Sequence, residues 1–550
     1  MGDSSTASDK GIPIPVPADF PIQWEDDVEP TLLWTWDDFH APLPRTTMSA
    51  SVGQFTRSGM TQASKDTGTY RPGGQSKVVN GYPYSASTAK PMTDDEKEAR
   101  ARGLDSHIET VANNWDSYWL PELQSDLEEF KSVKLAEMDA DTLWKTMNHA
   151  LERHTRHWHI HHLVVMPVIE QSNRLEAICK EILGDGEPAA ASVLLHGAET
   201  MTVRSIKEME KLAADARSKP EVKAALTSDM SADAIRAQLG KSDAGRKWLA
   251  DFDAYLYDFG YRCAGFDLSF PSWVEDNSFP FQVIRSMIEA DPAETISATA
   301  REETLNAERD ALLQKVRHAA KDKPELLAKF EDAYRRAQET WPLKENHSHY
   351  IDQASTAIVR IMLAEVGRRL SATGATVSAD DVWYTELDEA EAALTGTAPA
   401  DLQKLVAERR ADRQRYSKLT PPKHIGTFPP DHDAAKQANA SSETSGTLRG
   451  TAASKGEATG IARVVLSPDD FHKVRKGDVL VCRSTAPMWT PLFRVISALV
   501  SEAGGILSHP AVVAREFELP AVVGVPRATS LVVDGQPITV SGTDGLVHTG

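Results

Sequence analysis

The sequence predicts a multidomain α + α/β protein, in which a large, mainly helical domain is followed by a small β/β/α domain. Long amphipathic segments with few glycines fill the middle of the chain, a pattern typical of helices that bury one face. After Gly450 the pattern changes to short β-type runs separated by Gly and Asp turns. A chain of 550 residues is long enough for each such domain to bury its own core.

The first 92 residues are rich in Ser, Thr, Gly and Pro and show little apolar periodicity. This composition predicts few regular elements, so we expect residues 1–92 to form an irregular N-terminal arm. The aromatic-rich stretch Phe20–Phe39 gives that arm an apolar surface with which to pack on the helical domain.

Residues 93–419 form the predicted helical domain. Its clearest amphipathic segments are Asp141–Met166, Ala190–Ala214, Ala300–Ala337 and Ile351–Leu370. Residues 420–447 are polar and contain several prolines and serines, a composition that buries little apolar surface. They are predicted to be a flexible linker.

Residues 448–550 form the last predicted domain. Its β-type runs are Ala462–Leu466, Asp478–Cys482, Ala498–Ser501, Ala521–Val525 and Ile538–Ser541. One helix fits between His509 and Glu518. A compact unit that follows a flexible linker is suited to move as a rigid body.

Composition limits the partners and the location. A formal net charge of -20 repels nucleic acid and anionic membranes, so we expect neither as a partner. Cys179, Cys263 and Cys482 form no C-x-x-C pair, which favours a reducing compartment. The N-terminus lacks the apolar run of a signal peptide, and no stretch of about 18 apolar residues occurs. We therefore expect a cytoplasmic protein.

The segment around His509 carries the strongest chemical signal. Gly504 and Gly505 allow a sharp turn and close approach of a ligand, Ser508 can cap a helix, and Pro510 suits a first helical turn. These neighbours place His509 at a helix N-terminus. Free amides and the positive end of the helix dipole there stabilise an added phosphate. A neutral imidazole in this position can attack phosphorus and hold a phosphoryl group.

Four ordered blocks resemble the mobile, swivelling phosphohistidine domain of phosphoenolpyruvate-utilising enzymes, a group that includes rifampicin phosphotransferase. The blocks are Gly450–Val465, Lys476–Phe493, Gly504–Gly524 and Asp534–Val547. The resemblance implies that His509 is the residue that accepts and passes on the phosphoryl group. The alternative is a structural role, in which His509 only caps its helix.

Three neighbouring positions modify this interpretation. Many family members have Thr two residues before the phosphorylated His, whereas Leu507 stands here, so regulation through that threonine is not expected. Thr485 can hydrogen-bond the phosphoryl group, although a local turn explains it equally well. For Arg515 we expect an ion pair with Glu518 and no part in the site.

The resemblance continues upstream with the helical, acceptor-binding region of rifampicin-phosphotransferase-type proteins. Trp341–Leu370 carries it, and in the family this block commonly reads Arg-Glu with a Lys four residues after the Arg. Lys344 and Glu345 match the first pair, but Ser348 replaces the Lys. His347 and His349 flank that serine, so the acceptor chemistry differs at this spot.

Transfer of a phosphoryl group to a hydroxyl needs a cation for the equatorial oxygens and a base for the hydroxyl proton. We expect Lys344 to be the cation and His347, His349 or Glu345 to be the base. The alternative is that these residues form only a solvated helix start.

A histidine-rich segment suggests a metal site at first sight, because His157 and His161 share a helical face. No H-E-x-x-H motif and no third ligand are evident, so the sequence predicts no metal. We expect some of these histidines to line the acceptor site or to be solvated. The LGKSD sequence near Gly240 lacks the first glycine of a phosphate loop, because Ile235 stands there.

No segment resembles an ATP-grasp domain or a phosphoenolpyruvate-binding barrel. The resemblance therefore implies a split system like phenylphosphate synthase or the alkylphenol (4-cresol) phosphorylating enzymes, in which ATP and Mg²⁺ are bound by a separate ATP-grasp subunit and none by this chain. Tryptophan and tyrosine side chains of the arm and the helical domain can form the walls of a site for a small phenol. Two alternatives remain, a rifamycin-type antibiotic as acceptor and a non-catalytic phosphocarrier.

Overall fold

We analysed a computed structural model of the protein. It describes residues 11–549 apart from 90–91, 185–186, 188–189, 264, 291–297, 430–445, 486 and 506–507. Leu507 and most of the predicted linker therefore lie outside the described residues. So does the side chain of His509, of which only the backbone is described.

The helical domain is confirmed as the larger part of the fold. Its helices are α1 (Thr47–Asp66), α2 (Asp94–Asn114), α3 (Leu120–Lys131), α4 (Ala140–Leu183), α5 (Ala190–Leu194), α6 (Met201–Arg217), α7 (Pro220–Leu226), α8 (Ala232–Leu239), α9 (Asp243–Phe259), α10 (Ser278–Glu289), α11 (Ala298–Ala319), α12 (Pro324–Thr340), α13 (Leu343–Ser348), α14 (Thr356–Thr373), α15 (Leu387–Leu394) and α16 (Leu402–Tyr416).

Local signals set the ends of these helices. The Asp139 side chain accepts a hydrogen bond from the Thr142 amide and so caps α4, and Pro324 occupies the first turn of α12. The predicted segment 300–337 is therefore two helices, because the proline begins a new one. The predicted segment 190–214 is likewise divided into α5 and α6, since Thr200 caps the second helix.

The α13–α14 connection is a π-helical stretch, His349–Ser355, rather than the continuous α-helix that the sequence predicts from residue 351. A π-turn brings residues i and i+5 together, whereas an α-helix brings i and i+4 together. This difference determines which side chains meet in the candidate site.

The prediction of an irregular N-terminal arm is wrong. The arm contains α1 and strands β1 (Ile12–Pro13), β2 (Leu33–Trp36), β3 (Gly74–Val79) and β4 (Tyr82–Ser87). They join β5 (His424–Phe428) in an antiparallel sheet of order β1-β5-β2-β4-β3. Buried Phe20, Trp34 and Tyr82 form its core. The strands form despite a polar composition because these aromatic side chains alternate with polar ones.

The same sheet corrects the start of the predicted linker. Residues 424–428, which we expected to be flexible, form β5 and pair with both β1 and β2. Ile425 is the apolar residue that buries this strand in the small core. The C-terminal end of the helical domain is thus tied to the N-terminal arm.

The C-terminal domain contains a sheet of order β6-β13-β12-β8-β9-β10-β11-β7. Its strands are β6 (Thr447–Arg449), β7 (Thr451–Ser454), β8 (Glu457–Val465), β9 (Val479–Cys482), β10 (Ala498–Ser501), β11 (Ala521–Val523), β12 (Pro537–Ser541) and β13 (Leu546–His548). Strands β8 to β11 are parallel, and the apolar runs of β9, β10 and β11 are buried on both faces. Helices α17 (His509–Glu516) and α18 (Ala528–Leu531) complete the domain. All five predicted strands and the predicted helix are present.

The C-terminal domain is docked on the helical domain. Phe471 packs against Phe279 with ring centroids 4.8 Å apart, and the Gln282 amide donates to the Phe471 carbonyl over 2.8 Å. Arg494 forms an ion pair with Glu210. One apolar core continues from α6, α9 and α10 into this domain.

Among the described residues, no helix combines the length and the apolar character needed to cross a bilayer.

Candidate functional site

The turn before His509 is built around one glycine. Gly504 has φ +115°, a conformation that side chains rarely adopt, and a Cβ placed there would meet Ser508 Oγ at 2.7 Å. A Cβ on Gly505 would meet nothing within 4 Å. Of the two predicted glycines, only Gly504 is thus required by the backbone.

His509 is the first residue of α17, as the sequence predicts. Ser508 occupies the N-cap position with an extended backbone, but its hydroxyl donates to the Gly505 carbonyl over 2.7 Å instead of capping the helix. The Ser508 oxygen therefore accepts no hydrogen bond from the amides of the first turn. The positive end of the helix that these amides form favours an anion at this terminus.

Helix α17 lies against the helical domain. Val512 belongs to the apolar cluster that contains Trp158, Trp341 and Leu343. One turn later, Glu516 approaches Lys344 at the start of α13 closely enough for each to alter the pKa of the other. The helix that begins at His509 is therefore docked on the segment that carries the predicted acceptor residues.

Four charged side chains meet at this contact, namely Lys344, Glu345, Arg515 and Glu516. Burial, and then the nearby Glu345 carboxylate, raise the pKa of Glu516 to about 8, against the effects of Lys344 and Arg515. Burial also lowers the pKa of Lys344, although Glu345 and Glu516 oppose this shift. The Lys344 ammonium lies 4.8 Å from the centre of the Trp341 ring.

The expected pair of Arg515 with Glu518 is wrong. Arg515 donates to the Ala453 carbonyl over 2.7 Å and to the Ser192 hydroxyl of α5. Glu518 has φ +49° and ends the helix on an exposed turn, which takes its side chain away from Arg515. Arg515 thus contributes to docking.

The other two predicted acceptor residues, His347 and His349, lie apart from each other. The His347 ring faces His161, with centroids 4.7 Å apart, and burial lowers its pKa to about 4. His349 is placed elsewhere, because its Nδ1 accepts from Arg262 over 3.4 Å. Burial, and then the Arg262 charge, hold the pKa of His349 well below its ordinary value. His347 is close enough to Glu345 of the charged contact for that carboxylate to raise its pKa against the effect of burial, whereas no residue of the contact acts on His349.

Asp352 is the site residue that the sequence did not indicate, whereas His161 was predicted only to share a helix face with His157. His161 Nδ1 lies 2.8 Å from Asp352 Oδ1, and His347 completes a group of three possible metal ligands. Burial opposes ionisation of Asp352, but His161, then His347 and His40, lower its pKa to about 2. The signal was the spacing of five between His347 and Asp352, which only a π-turn brings together.

The remaining histidines of α4 have other partners. His154 and His157 each lie 2.9 Å from Ser355 Oγ, and His157 Nε2 lies 2.8 Å from Asp126. His159 pairs with Asp66 of α1. His157 and His161 share a helix face, as predicted, but they bind different carboxylates.

A small pocket of about 40 Å³ lies between the C-terminal domain and the N-terminal arm. Thr485 lines it and is 1% exposed, and its hydroxyl has no hydrogen-bond partner among the described residues. The pocket also has an aromatic lining of Phe39, His40, Phe266, Phe270 and Trp489. A larger cleft of about 420 Å³ lies beside Arg285 and Lys476 and contains none of the predicted site residues.

Comparison with known proteins finds a family match on each side of the contact between α13 and α17. The rifampicin phosphotransferase fourth domain matches residues 159–345, and the mobile domain of PEP-utilising enzymes matches residues 474–545. The chain is related to the rifampicin phosphotransferases. The first match covers His161, Lys344 and Glu345, and the second covers Thr485 and His509.

Three relatives illustrate the similarity. The chain is 28% identical to the chondramide synthase of Chondromyces crocatus, over 98% of this chain and 14% of that protein. It is 27% identical to an uncharacterised phosphotransferase of Bacillus subtilis, over 86% of this chain and 56% of that protein. It is 30% identical to a rifampicin phosphotransferase of Streptomyces, over 78% of this chain and 50% of that protein. The chain thus spans about half the length of the two phosphotransferases and less of the synthase.

Proposed function

We propose that the protein is a phosphotransferase, in which His509 receives a phosphoryl group and passes it to the hydroxyl of a small phenol such as an alkylphenol. The observation that supports this most is the docking of α17 on α13, which puts the helix beginning at His509 beside Lys344. The relationship to the rifampicin phosphotransferases supports the reaction class.

The donor in this proposal is ATP, bound with Mg²⁺ by a separate ATP-grasp protein. ATP and one water are consumed to AMP and phosphate as the second phosphoryl group is attached to the His509 imidazole. The N-terminus of α17 stabilises the added negative charge. We place the reaction in the cytoplasm, which the free thiols of Cys179, Cys263 and Cys482 support.

The acceptor is proposed to bind in the Thr485 pocket. Its aromatic side chains suit a planar ring, and the unpartnered Thr485 hydroxyl can donate to a phosphoryl oxygen. Transfer breaks the phosphorus–nitrogen bond as a phosphorus–oxygen bond forms to the phenol. The phenolic proton ends on the imidazole nitrogen that is released. A phenol has a pKa of about 10, so its oxygen is activated more easily than that of an aliphatic alcohol.

A rifamycin-type acceptor is the second candidate, and the 30% identity to a rifampicin phosphotransferase favours it. A pocket of about 40 Å³ weighs against a rifamycin macrocycle, which needs a far larger cavity. Benzene occupies an engineered cavity of roughly 150 Å³, so a phenol too would require this pocket to widen on binding. A non-catalytic phosphocarrier remains the third, and it requires no acceptor at all.

The test separates the two half-reactions. The chain is phosphorylated either by the ATP-grasp partner or chemically with phosphoramidate, and alkylphenols and a rifamycin are then added. We expect His509→Gln to lose the acid-labile phosphate, while His548→Gln, an exposed histidine of the same domain, keeps it. Thr485→Val should keep the phosphate but transfer it to a phenol at least about tenfold more slowly.

Each result decides between the candidates. An acid-labile phosphate that persists in His509→Gln would contradict the carrier role. Transfer to the rifamycin alone would replace the acceptor, and transfer to no small molecule would leave the phosphocarrier.

A further inference from the structure

The residues His161, His347 and Asp352 form a compact group under the helix that begins at His509. They come from α4, α13 and the π-helical stretch, and the atoms that they offer as ligands lie within 4.8 Å of one another. Both histidines are buried, and Asp352 is half-buried. These side chains are brought together by the fold from positions far apart in the chain.

Hydrogen bonds define which ring nitrogen each histidine offers. His347 Nδ1 lies 2.7 Å from the Leu343 carbonyl, and a carbonyl oxygen can only accept. His347 Nδ1 therefore carries the hydrogen, and its Nε2 keeps a lone pair. In the same way the Asp352 carboxylate, 2.8 Å away, sets the hydrogen of His161 on Nδ1. His347 Nε2 is therefore left as a ligand, in the arrangement that a second-sphere hydrogen bond gives to a metal-binding histidine. At His161 the hydrogen lies between Nδ1 and Asp352, so a metal ion would replace it and take His161 Nδ1 and the Asp352 carboxylate as ligands.

Asp352 has one oxygen to spare. Its Oδ1 accepts from His161, and its Oδ2 accepts no hydrogen bond from the residues that the structure describes. Around the group lies an apolar shell, with the Trp158 ring centroid 4.6 Å from that of His161. Leu343 and Val512 belong to the same apolar cluster as Trp158. Such a shell limits water around a bound ion and strengthens its charge interactions.

We propose that His161, His347 and Asp352 bind a divalent transition-metal ion, such as Zn²⁺ or Mn²⁺. Two imidazole nitrogens and one carboxylate oxygen suit these ions better than Mg²⁺ or Ca²⁺, which prefer oxygen ligands. Ligand atoms around a tetrahedral Zn²⁺ lie roughly 3.3 Å apart, so small movements of the three side chains would adjust their present separations, which are 4.8 Å or less, to an ion. Three protein ligands leave at least one coordination position for water or a substrate oxygen.

A role for this ion rests on the proposed function. His40 lines the Thr485 pocket and is near enough to Asp352 to lower the pKa of that carboxyl, so the metal group adjoins the proposed acceptor pocket. A phenol oxygen on the open coordination position would lose its proton more readily, since a divalent ion stabilises the phenolate.

Metal binding is measured on the full chain by calorimetry and by metal analysis after treatment with a chelator. We expect one Zn²⁺ or Mn²⁺ per chain, with affinity reduced roughly 100-fold in His347→Gln and in Asp352→Asn. His157→Gln is the matched control, because His157 is also buried on α4 and also paired with a carboxylate, that of Asp126. Thermal melting shows whether each variant is folded.

Loss of binding in the first two variants with retention in His157→Gln supports the site. Absence of stoichiometric binding to the unaltered chain, or equal binding by all variants, overturns it. The role is tested separately with chemically phosphorylated chain. Transfer to phenol that stops with chelator and returns with metal supports the role, whereas transfer that ignores the chelator overturns it and leaves the binding result standing.

Discussion

Gly504 controls the direction in which the backbone enters α17. Replacement by Ala would place a Cβ at 2.7 Å from Ser508 Oγ and force a side chain into φ +115°. We expect Gly504→Ala to lower the free energy of unfolding of the C-terminal domain by about 1–3 kcal/mol and to slow phosphorylation of His509 at least about tenfold. Denaturant unfolding and an acid-labile phosphate assay measure the two effects.

Gly505→Ala is the matched control, because a Cβ there has no neighbour within 4 Å. Its stability should remain within about 0.5 kcal/mol of the unaltered chain. If both substitutions cost the same, the positive φ of Gly504 is not what shapes the turn.

At the residue scale, the sequence predicts a site residue best when the neighbours that set its backbone conformation stand next to it in the chain. His509 could be found from its own neighbours, since Gly504, Ser508 and Pro510 define a helix start. The group of His161, His347 and Asp352 could not, because its members meet only through tertiary packing and a π-turn. The catalytic roles that the sequence predicts for Lys344, Glu345, His347 and His349 remain predictions.

At the scale of elements, α17 begins at His509, the proposed phosphoryl site, and also forms a docking surface. Its Glu516 faces Lys344 and Glu345 of α13, with Arg515 beside it on its own helix. Docking raises the pKa of Glu516 from its ordinary 4.5 to about 8, so docking takes up a proton between these pH values. The docked state should therefore weaken as the pH rises through this interval.

We predict that Glu516→Gln removes this dependence. In small-angle scattering, the radius of gyration of the unaltered chain should increase between about pH 6 and pH 8, roughly the upper half of that interval, and that of Glu516→Gln should stay constant. Glu518→Gln, an exposed carboxylate on the turn after α17, is the control and should behave like the unaltered chain. The same increase in all three proteins would show that Glu516 is not the titrating group.

Helices and strands were predicted correctly where one apolar pattern continued along the whole element. The strands of the C-terminal domain carry apolar runs bounded by glycine, and α4 carries a long apolar stripe. The small sheet of the arm was missed because its two-residue and four-residue strands, β1 and β2, are too short for a periodic signal. Its partner β5 lies nearly 400 positions away, a pairing that no local pattern predicts.

At the scale of the whole molecule, the contact between the two large domains is apolar and continuous with the core. Such a contact favours the docked state, in which the proposed transfer to the acceptor would take place. Phosphorylation by the proposed donor protein would then require that the contact opens. We predict that a cross-link across it separates the half-reactions.

Glu210→Cys and Arg494→Cys, joined by a short bismaleimide, replace an ion pair across the contact. The linked protein should lose at least about 90% of its phosphorylation by the partner but still transfer a phosphoryl group installed beforehand. The native cysteines are buried, and burial raises the pKa of Cys179 and Cys263 to about 12, so they should not react.

A linked pair within one helix, Arg335→Cys with Glu339→Cys on α12, controls for the chemistry. Phosphorylation at the normal rate in the Glu210–Arg494 protein would mean that donor and acceptor sites already face one another.

Strand β5 attaches the segment that leads to the C-terminal domain to the arm sheet. Phe428 is the last residue of β5 in the arm sheet, and Thr447 begins β6 in the C-terminal sheet. The 19 Cα–Cα steps from Phe428 to Thr447 span at most about 65 Å, whatever path the chain takes. This length is therefore the greatest distance that can separate the start of the C-terminal domain from Phe428 of the arm sheet. In the proposed function the donor nucleotide would have to come within this distance of Phe428, allowing for the width of the domain itself, which bounds where the proposed ATP-binding partner can bind.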